Sequence, residues 1–412
     1  MIVPDQPRVA LAHHWLVTTR GGEKVVEALA ELFPRADLFT LVCDSARLSP
    51  ALRSRPIHTS FLQRFPQSSR RYPYFLPIYP WATRRLDVSG YPLVISSDAA
   101  TVKGVRVDRD AIHICYCHTP MRYVWSSYET YRRAVPPLAR TFYPLLASWL
   151  RSWDRRAAQS VTHFVANSQH VAERIRRFYD RQSAVIYPPV DTDFFVPARD
   201  QSTHGHYLLV SSLVPYKRVD LAVRAFNRLR KPLLVIGDGS ERRRLEQQAR
   251  PNVVFLGPQP ADVLRRAMQS CRAFVFPAEE DFGIVMAEAQ ACGRPVIAFG
   301  RGGGREIVQE GVSGVLFDEQ NVDALSDAVI RFEQADFDPA AIRASSLRFS
   351  KQRFLSEFAR FVEWALNSRG DSSTGFGARS HLAAPPQSDR AFPRFPGGCG
   401  KALRPNPSDP FR

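Results

Sequence analysis

The segment Ala273-Phe274-Val275-Phe276-Pro277-Ala278-Glu279-Glu280-Asp281-Phe282-Gly283-Ile284-Val285-Met286-Ala287-Glu288 decides how the rest of the chain is read. Its first four residues are an apolar run of strand length, and Pro277 ends it, because proline has no N–H to give a sheet. A helix is predicted from near Gly283. It closes at Gly293, a residue suited to the left-handed position after a helix, just before Pro295. A buried strand passing through a short loop into a helix is one unit of a parallel sheet. The free N–H groups of the first helical turn form an anion site suited to a diphosphate. Glu280 stands just before that turn, where a sugar attached to the diphosphate would lie. Glu288 is over a turn further in, where a carboxylate can accept from ribose hydroxyls. Alone, the same residues also describe a capped helix with a surface charge.

Outward from this unit the pattern repeats. Strands are predicted at Val9–His13, Leu38–Val42, Leu93–Ser96, Ile112–Cys117, His163–Ala166 and Ala184–Tyr187. A second series runs Tyr207–Val210, Leu233–Ile236, Val253–Leu256, Ala273–Phe276 and Pro295–Phe299. Helices fit between many of them; Glu23–Phe33 places Val25, Leu29 and Leu32 on one stripe. Pro188, Pro189 and the polar stretch Pro197–His206 separate the two series. The expected class is α/β, with two Rossmann-like, doubly wound domains and a cleft between the carboxyl ends of their strands. The expected divisions are 1–195, 196–350, a C-terminal helix at 351–368, and a disordered tail at 369–412 rich in Gly, Pro, Ser and Arg.

Bulk properties narrow the classes. The chain has 412 residues, enough for two domains, and 44 % of them are hydrophobic. Lys and Arg outnumber Asp and Glu by 56 to 40, a formal charge of +16 that favours an acidic partner without choosing one. The six cysteines lie mostly in apolar segments, with no second pair at zinc-ligand spacing beside Cys115 and Cys117, so reduced buried thiols and a cytoplasmic setting are expected. Neither a signal peptide nor a run of about 18 apolar residues is visible.

Other residues at predicted strand ends carry chemistry. Lys217 and Arg218 follow Ser211-Ser212, and a lysine beside a pyrophosphate stabilises the leaving group's charge. Gly21 and Gly22 let a backbone approach a ligand at a helix start, or simply form a tight turn. His118, in Ile114-Cys115-Tyr116-Cys117-His118-Thr119-Pro120, falls at a strand's carboxyl end, with Arg122 close behind. Gly237, in Ile236-Gly237-Asp238-Gly239, also follows a strand.

With these residues in place, the chain resembles the retaining glycosyltransferases of GT-B fold, family 4. Glu280 to Glu288 resembles their Glu-x7-Glu motif. The likeness continues through Gly293-Arg294-Pro295, Gly302-Gly303-Gly304-Arg305-Glu306 and Gly311 to Phe317, and spans about residues 8–366. The resemblance implies that Glu280 and His118 lie beside the donor sugar and Glu288 on the ribose. The backbone at Phe282, Gly283 and Ile284 would touch sugar and phosphates. The loops at Gly22 and Gly237 would face the nucleotide-sugar, Lys217 and Arg218 its phosphates, and Arg122 the acceptor or a phosphate. Family members commonly have Arg where Ser212 stands, which leaves one phosphate contact to be replaced. The first domain would take a lipid-linked or glycan acceptor and the second the donor. The His118 and Lys217 segments are most similar to bacterial mannosyltransferases of surface polysaccharide and glycolipid synthesis. That implies GDP-mannose as donor, with UDP-glucose or UDP-galactose the alternative, and no metal or other cofactor.

Rivals are weaker. Asp191-Thr192-Asp193 lies in the interdomain connection and is read as structural rather than metal-binding. The chain has no Gly-x-Gly-x-x-Gly for a dinucleotide and no nucleic-acid module, so nucleic acid is not expected as a partner. A sugar phosphorylase or epimerase of the same fold stays open; pyridoxal absorbance would reveal the former. Residues 51–85 hold seven arginines and no acidic residue, interleaved with Tyr72, Tyr74, Phe75, Tyr79 and Trp81. This composition suits a peripheral contact with an anionic membrane, or equally solvated arginines over packed aromatics.

Overall fold

The computed structural model describes residues 7–18, 21–199 and 205–370. The first sheet is built from β1 (Val9–His13), β2 (Asp37–Thr40), β3 (Ile57–Thr59), β4 (Leu93–Asp98), β5 (Ile112–Cys117), β6 (His163–Ala166) and β7 (Ser183–Val185). The second contains β8 (Tyr207–Val210), β9 (Leu233–Ile236), β10 (Val253–Gly257), β11 (Phe274–Phe276), β12 (Val296–Phe299) and β13 (Gly314–Phe317). Their orders are β3-β2-β1-β4-β5-β6-β7 and β10-β9-β8-β11-β12-β13, with parallel pairing throughout. Each order reverses beside its first strand, and there the crevice at the strands' carboxyl ends opens. The central strands β1, β4 and β5 are buried along their whole length, as helices on both faces of a parallel sheet require. The expected class is therefore the observed one.

Most strands lie within a residue or two of their expected bounds. Two were not expected. β3 is three residues long, sits at an edge and is mostly exposed, so it carries little apolar signal. β13 contains only four residues and opens on a glycine. The first helix, Gly21–Leu32, begins two residues before the expected start, so both glycines belong to its first turn.

The C-terminal helix, Lys351–Gly370, crosses back to the first sheet. The chain returns through a bridge between Val190 and Ser350. Phe354, Phe358, Phe361, Val362 and Ala365 then pack with Val25, Leu29, Ile114 and Tyr116 in one core. Their spacing is the apolar stripe of an amphipathic helix. Residues 371–412, most of the expected tail, lie outside the described residues. Asp191 serves a turn: its Oδ1 accepts from Phe194 N at 3.0 Å.

Candidate functional site

On the second half, the loop after β11 is held by close backbone packing. Glu280 bridges Gly302, and Gly303 N donates to Glu280 O at 2.8 Å. A Cβ on Gly303 would stand 1.9 Å from Phe282 O, so no other residue fits. Gly283, at φ 85°, caps the helix Ile284–Ala291. Phe282 is buried beside the rings of Tyr187 and Phe349. The loop thus presents Glu280 with little freedom. Lys217 Nζ lies 2.5 Å from Glu280 Oε1, and Arg122 Nη2 3.8 Å from Oε2.

Glu288 is buried inside its helix and is not a surface charge; Lys24 Nζ, from the first half, reaches it at 2.5 Å. Asp281 is buried too and pairs with Arg122 and Arg174, again from the first half. Burial alone would raise the Asp281 carboxyl, but the two guanidinium groups outweigh it and hold the group below its ordinary value. Glu306 closes the same boundary by accepting from Gln169 N and His170 N, at 2.8 and 2.9 Å, at the start of the helix Gln169–Tyr179.

On the first half, Gly22 lies over two imidazoles. A Cβ there would be 3.3 Å from His13 Cε1 and 3.7 Å from His118 Nε2. A Cβ on Gly21 would be 3.7 Å from Ile284 Cγ2, so the starts of the two helices face each other across the cleft. Ser97 ties the imidazoles together. Its carbonyl lies 2.9 Å from His13 Nδ1 and 3.3 Å from His14 Nδ1, and its hydroxyl 2.8 Å from His118 Nε2. A carbonyl can only accept, so both Nδ1 atoms carry the proton. Burial, and next the His118 charge, push His13 down to about 3. Burial and His13 do the same to His14, and burial and His14 bring His118 to about 4. All three are neutral at pH 7. His13 Nε2 is then a lone-pair acceptor, buried beneath Gly22 without a hydrogen-bond partner among the described residues.

Behind the histidines lies a buried charge triad. Lys103 Nζ sits 2.9 Å from Asp98 Oδ2 and 2.5 Å from Asp154 Oδ1, all three side chains fully buried. Asp98 Oδ1 also accepts from Ala100 N and Val102 N, fixing the turn after β4.

The structure brings Glu280, Lys217 and Arg122 into one cluster, and places His118 with Gly22. Arg218 is turned elsewhere, to Asp220 at 3.3 Å and Gln320 at 3.0 Å. Gly237 packs on the backbone of Ser211 at the end of β8, where a Cβ would overlap Ser211 O. His13, His14, Ser97, Lys24, Asp281 and Arg174 were missed in the sequence reading. His13 and Ser97 obey the rule that singled out His118, since each lies at a strand's carboxyl end.

The family described as "Glycosyltransferase Family 4" matches residues 19–194, and "Glycosyl transferases group 1" matches residues 205–334. The chain belongs to this family of glycosyltransferases. It is 26 % identical to the D-inositol 3-phosphate glycosyltransferase of Mycolicibacterium smegmatis over 263 residues, 58 % of this chain and 59 % of that protein. A GDP-mannose-dependent alpha-(1-6)-phosphatidylinositol monomannoside mannosyltransferase of the same organism is 34 % identical over 170 residues, 34 % of this chain and 44 % of that one. The chain thus spans about half the length of the curated relatives it matches. Among solved structures, HepE of Anabaena in complex with UDP superposes with a TM-score of 0.62 at 18 % identity, covering 86 % of this chain and 99 % of that one. The lipopolysaccharide outer core galactosyltransferase WaaB gives 0.59 at 17 %, covering 88 % and 99 %. The shared fold is GT-B.

Proposed function

We propose that the protein transfers mannose from GDP-mannose to a lipid-linked or glycan acceptor, with retention of configuration. The observation that carries this reading is the meeting of two helix starts, Gly21 and Ile284, between Lys24, Lys217 and Arg122. Two helix dipoles and three cations in one cleft suit a diphosphate. The cations now neutralise Glu280, Glu288 and Asp281 across the cleft; a bound nucleotide-sugar would take over part of that charge balance.

In this reading the diphosphate lies on the helix starts, Lys217 reaches it, and Glu288 accepts from the ribose. Glu280 contacts the sugar as the bond from its anomeric carbon to the phosphate oxygen stretches. Negative charge gathers on the leaving phosphate, where Lys217 and the fixed N–H groups stabilise it. The acceptor hydroxyl attacks from the same face, and its proton passes to the departing phosphate oxygen. His118 stands beside the sugar and Arg122 beside the acceptor. His13 Nε2 accepts from a hydroxyl of one of the two substrates, since a buried lone pair without a partner is unfavourable until it is filled. Positive charge here comes from side chains and helix starts, so turnover is expected to persist in a chelator. The donor choice rests on the likeness to the GDP-mannose-dependent relative. Calorimetric titration with GDP and UDP tests it. GDP is expected to bind more tightly; tighter UDP binding would move the donor to UDP-glucose or UDP-galactose, and no binding of either would remove the reading.

A further inference from the structure

The helix Pro137–Gln159 is apolar on two faces. Tyr143, Ala147 and Leu150 form its inner face and are buried with Met121, Val124 and Trp153. On its outer face stand Leu138, Phe142, Leu145 and Trp149, at spacings of four, three and four, which is a single stripe. They are 77, 61, 72 and 47 % exposed. Lone exposed apolar residues are ordinary, but a continuous exposed stripe beside a buried apolar face is normally covered.

A second element adjoins the same helix. Leu76 packs against the cluster that buries the inner face, and its neighbours Tyr74 and Trp81 are 83 and 52 % exposed. The charge around both elements is mostly positive, although Glu129 beside the first pairs with Arg132 at 3.4 Å. Residues 130–153 contain Arg132, Arg133, Arg140 and Arg151 and no Asp or Glu; residues 51–86 contain seven arginines and no Asp or Glu. Two of the seven serve the fold. Arg53 bonds the carbonyls of Ala46 and Leu48, and Arg55 those of Ala30, Phe33 and Pro34 at the end of the first helix. Arg64, Arg70, Arg71, Arg84 and Arg85 are exposed.

We infer that this face docks on an anionic lipid bilayer, with Leu138, Phe142, Leu145 and Trp149 entering the headgroup boundary and the arginines meeting lipid phosphates. An apolar stripe rimmed by cations is the pattern of a helix lying in the membrane interface. A second copy of the chain fits the patch less well, because a symmetric pairing would set arginine against arginine. The stripe also connects to the cleft: Met121 and Val124, in the cluster beneath it, flank Arg122. A lipid-linked acceptor held at the bilayer would therefore arrive beside the residue assigned to it. This inference rests on the lipid-acceptor part of the function proposed above and adds the surface that delivers it.

The test is co-sedimentation of the full chain with phosphatidylcholine vesicles, with and without phosphatidylglycerol, beside nucleotide-sugar hydrolysis in lipid-free buffer. Wild type is expected to bind only the anionic vesicles and to be released by salt. Replacing Leu138, Phe142, Leu145 and Trp149 by serine should weaken binding about tenfold or more, with lipid-free hydrolysis unchanged. Brominated lipid should quench Trp149, seen as the difference between wild type and Trp149→Phe, a readout that does not depend on the quadruple variant folding. Equal vesicle binding by wild type and the quadruple variant overturns the inference, as does no quenching of Trp149. So does a wild-type dimer that the serine variant dissociates, which would give the stripe to a second copy. Failure of hydrolysis with vesicle binding intact would instead count against the sugar-transfer reading alone.

Discussion

The two sheets share one strand order around their first strands, but they build their cleft edges from different material. In the second half the edge is mainly backbone: Pro277, the left-handed Gly283, and Gly302 and Gly303 pressed against the loop of Glu280. In the first half it is buried polar side chains: His13, His14 and His118 around Ser97, with Lys103 between Asp98 and Asp154 behind them. Backbone N–H groups and helix dipoles are fixed partial charges, which suit phosphate. Neutral imidazoles suit hydroxyls. In the proposed reading the second half supplies fixed backbone dipoles to the diphosphate, the first half adds Lys24, Arg122 and the helix start at Gly21, and the imidazoles of the first half position hydroxyls.

The largest expected effect is on the first half's foundation. Lys103→Met should leave two buried carboxylates without their cation and destabilise the protein by about 3–5 kcal/mol, measured by denaturant unfolding. A near-neutral result would mean that the triad is dispensable and that another feature positions the turn after β4.

Glu280→Gln should lower kcat by roughly a hundredfold while nucleotide affinity survives, because in the proposed mechanism its carboxylate acts as charge develops. Unchanged turnover would remove Glu280 from the reacting centre and break the contrast at its sharpest point.

Lys217→Ala should weaken GDP binding by about tenfold and leave guanosine binding alone, since lysine acts on phosphate as a point charge. Equal weakening of both ligands would show that the second half does more than hold phosphate.

The smallest effect concerns pH. The unfolded histidines take up protons near 6.5, whereas the folded ones resist until about 3 for His13 and His14 and about 4 for His113 and His118, burial being the chief cause. Their contribution to stability is therefore complete above about pH 6.5 and falls away as the pH drops toward those values. Thermal unfolding should shift down on acidification, while kcat shows no step near 6.5. Such a step would mean that His118 is charged during turnover.

The same contrast explains what the sequence disclosed. The second half's site is local: Pro277, Gly283 and Glu288 fall within twelve residues and mark strand end, helix start and carboxylate in order. Strands β1, β5, β6, β8 and β9 are readable for a similar reason, each a largely buried run with polar, Gly or Pro residues close by. The first half's site depends on Ser97 reaching His13 across 84 positions of chain, and on Lys24 meeting Glu288 across 264. No spacing rule carries such contacts. The helix Pro137–Gln159 was hidden by Pro137 and Pro144, because a proline within an apolar run reads as a break. The return of the C-terminal helix to the first core depends on the path through Val190 and Ser350, which only the folded chain displays.

The most direct measurement is slow hydrolysis of a panel of nucleotide-sugars by the purified full chain, followed by proton NMR. Release of GDP and free mannose from GDP-mannose is expected in equal amounts, in the presence of a chelator, and slowed roughly a hundredfold in Glu280→Gln. If no nucleotide-sugar in the panel is hydrolysed, or if Glu280→Gln hydrolyses at the wild-type rate, the cleft between Gly21 and Ile284 does not do the chemistry assigned to it.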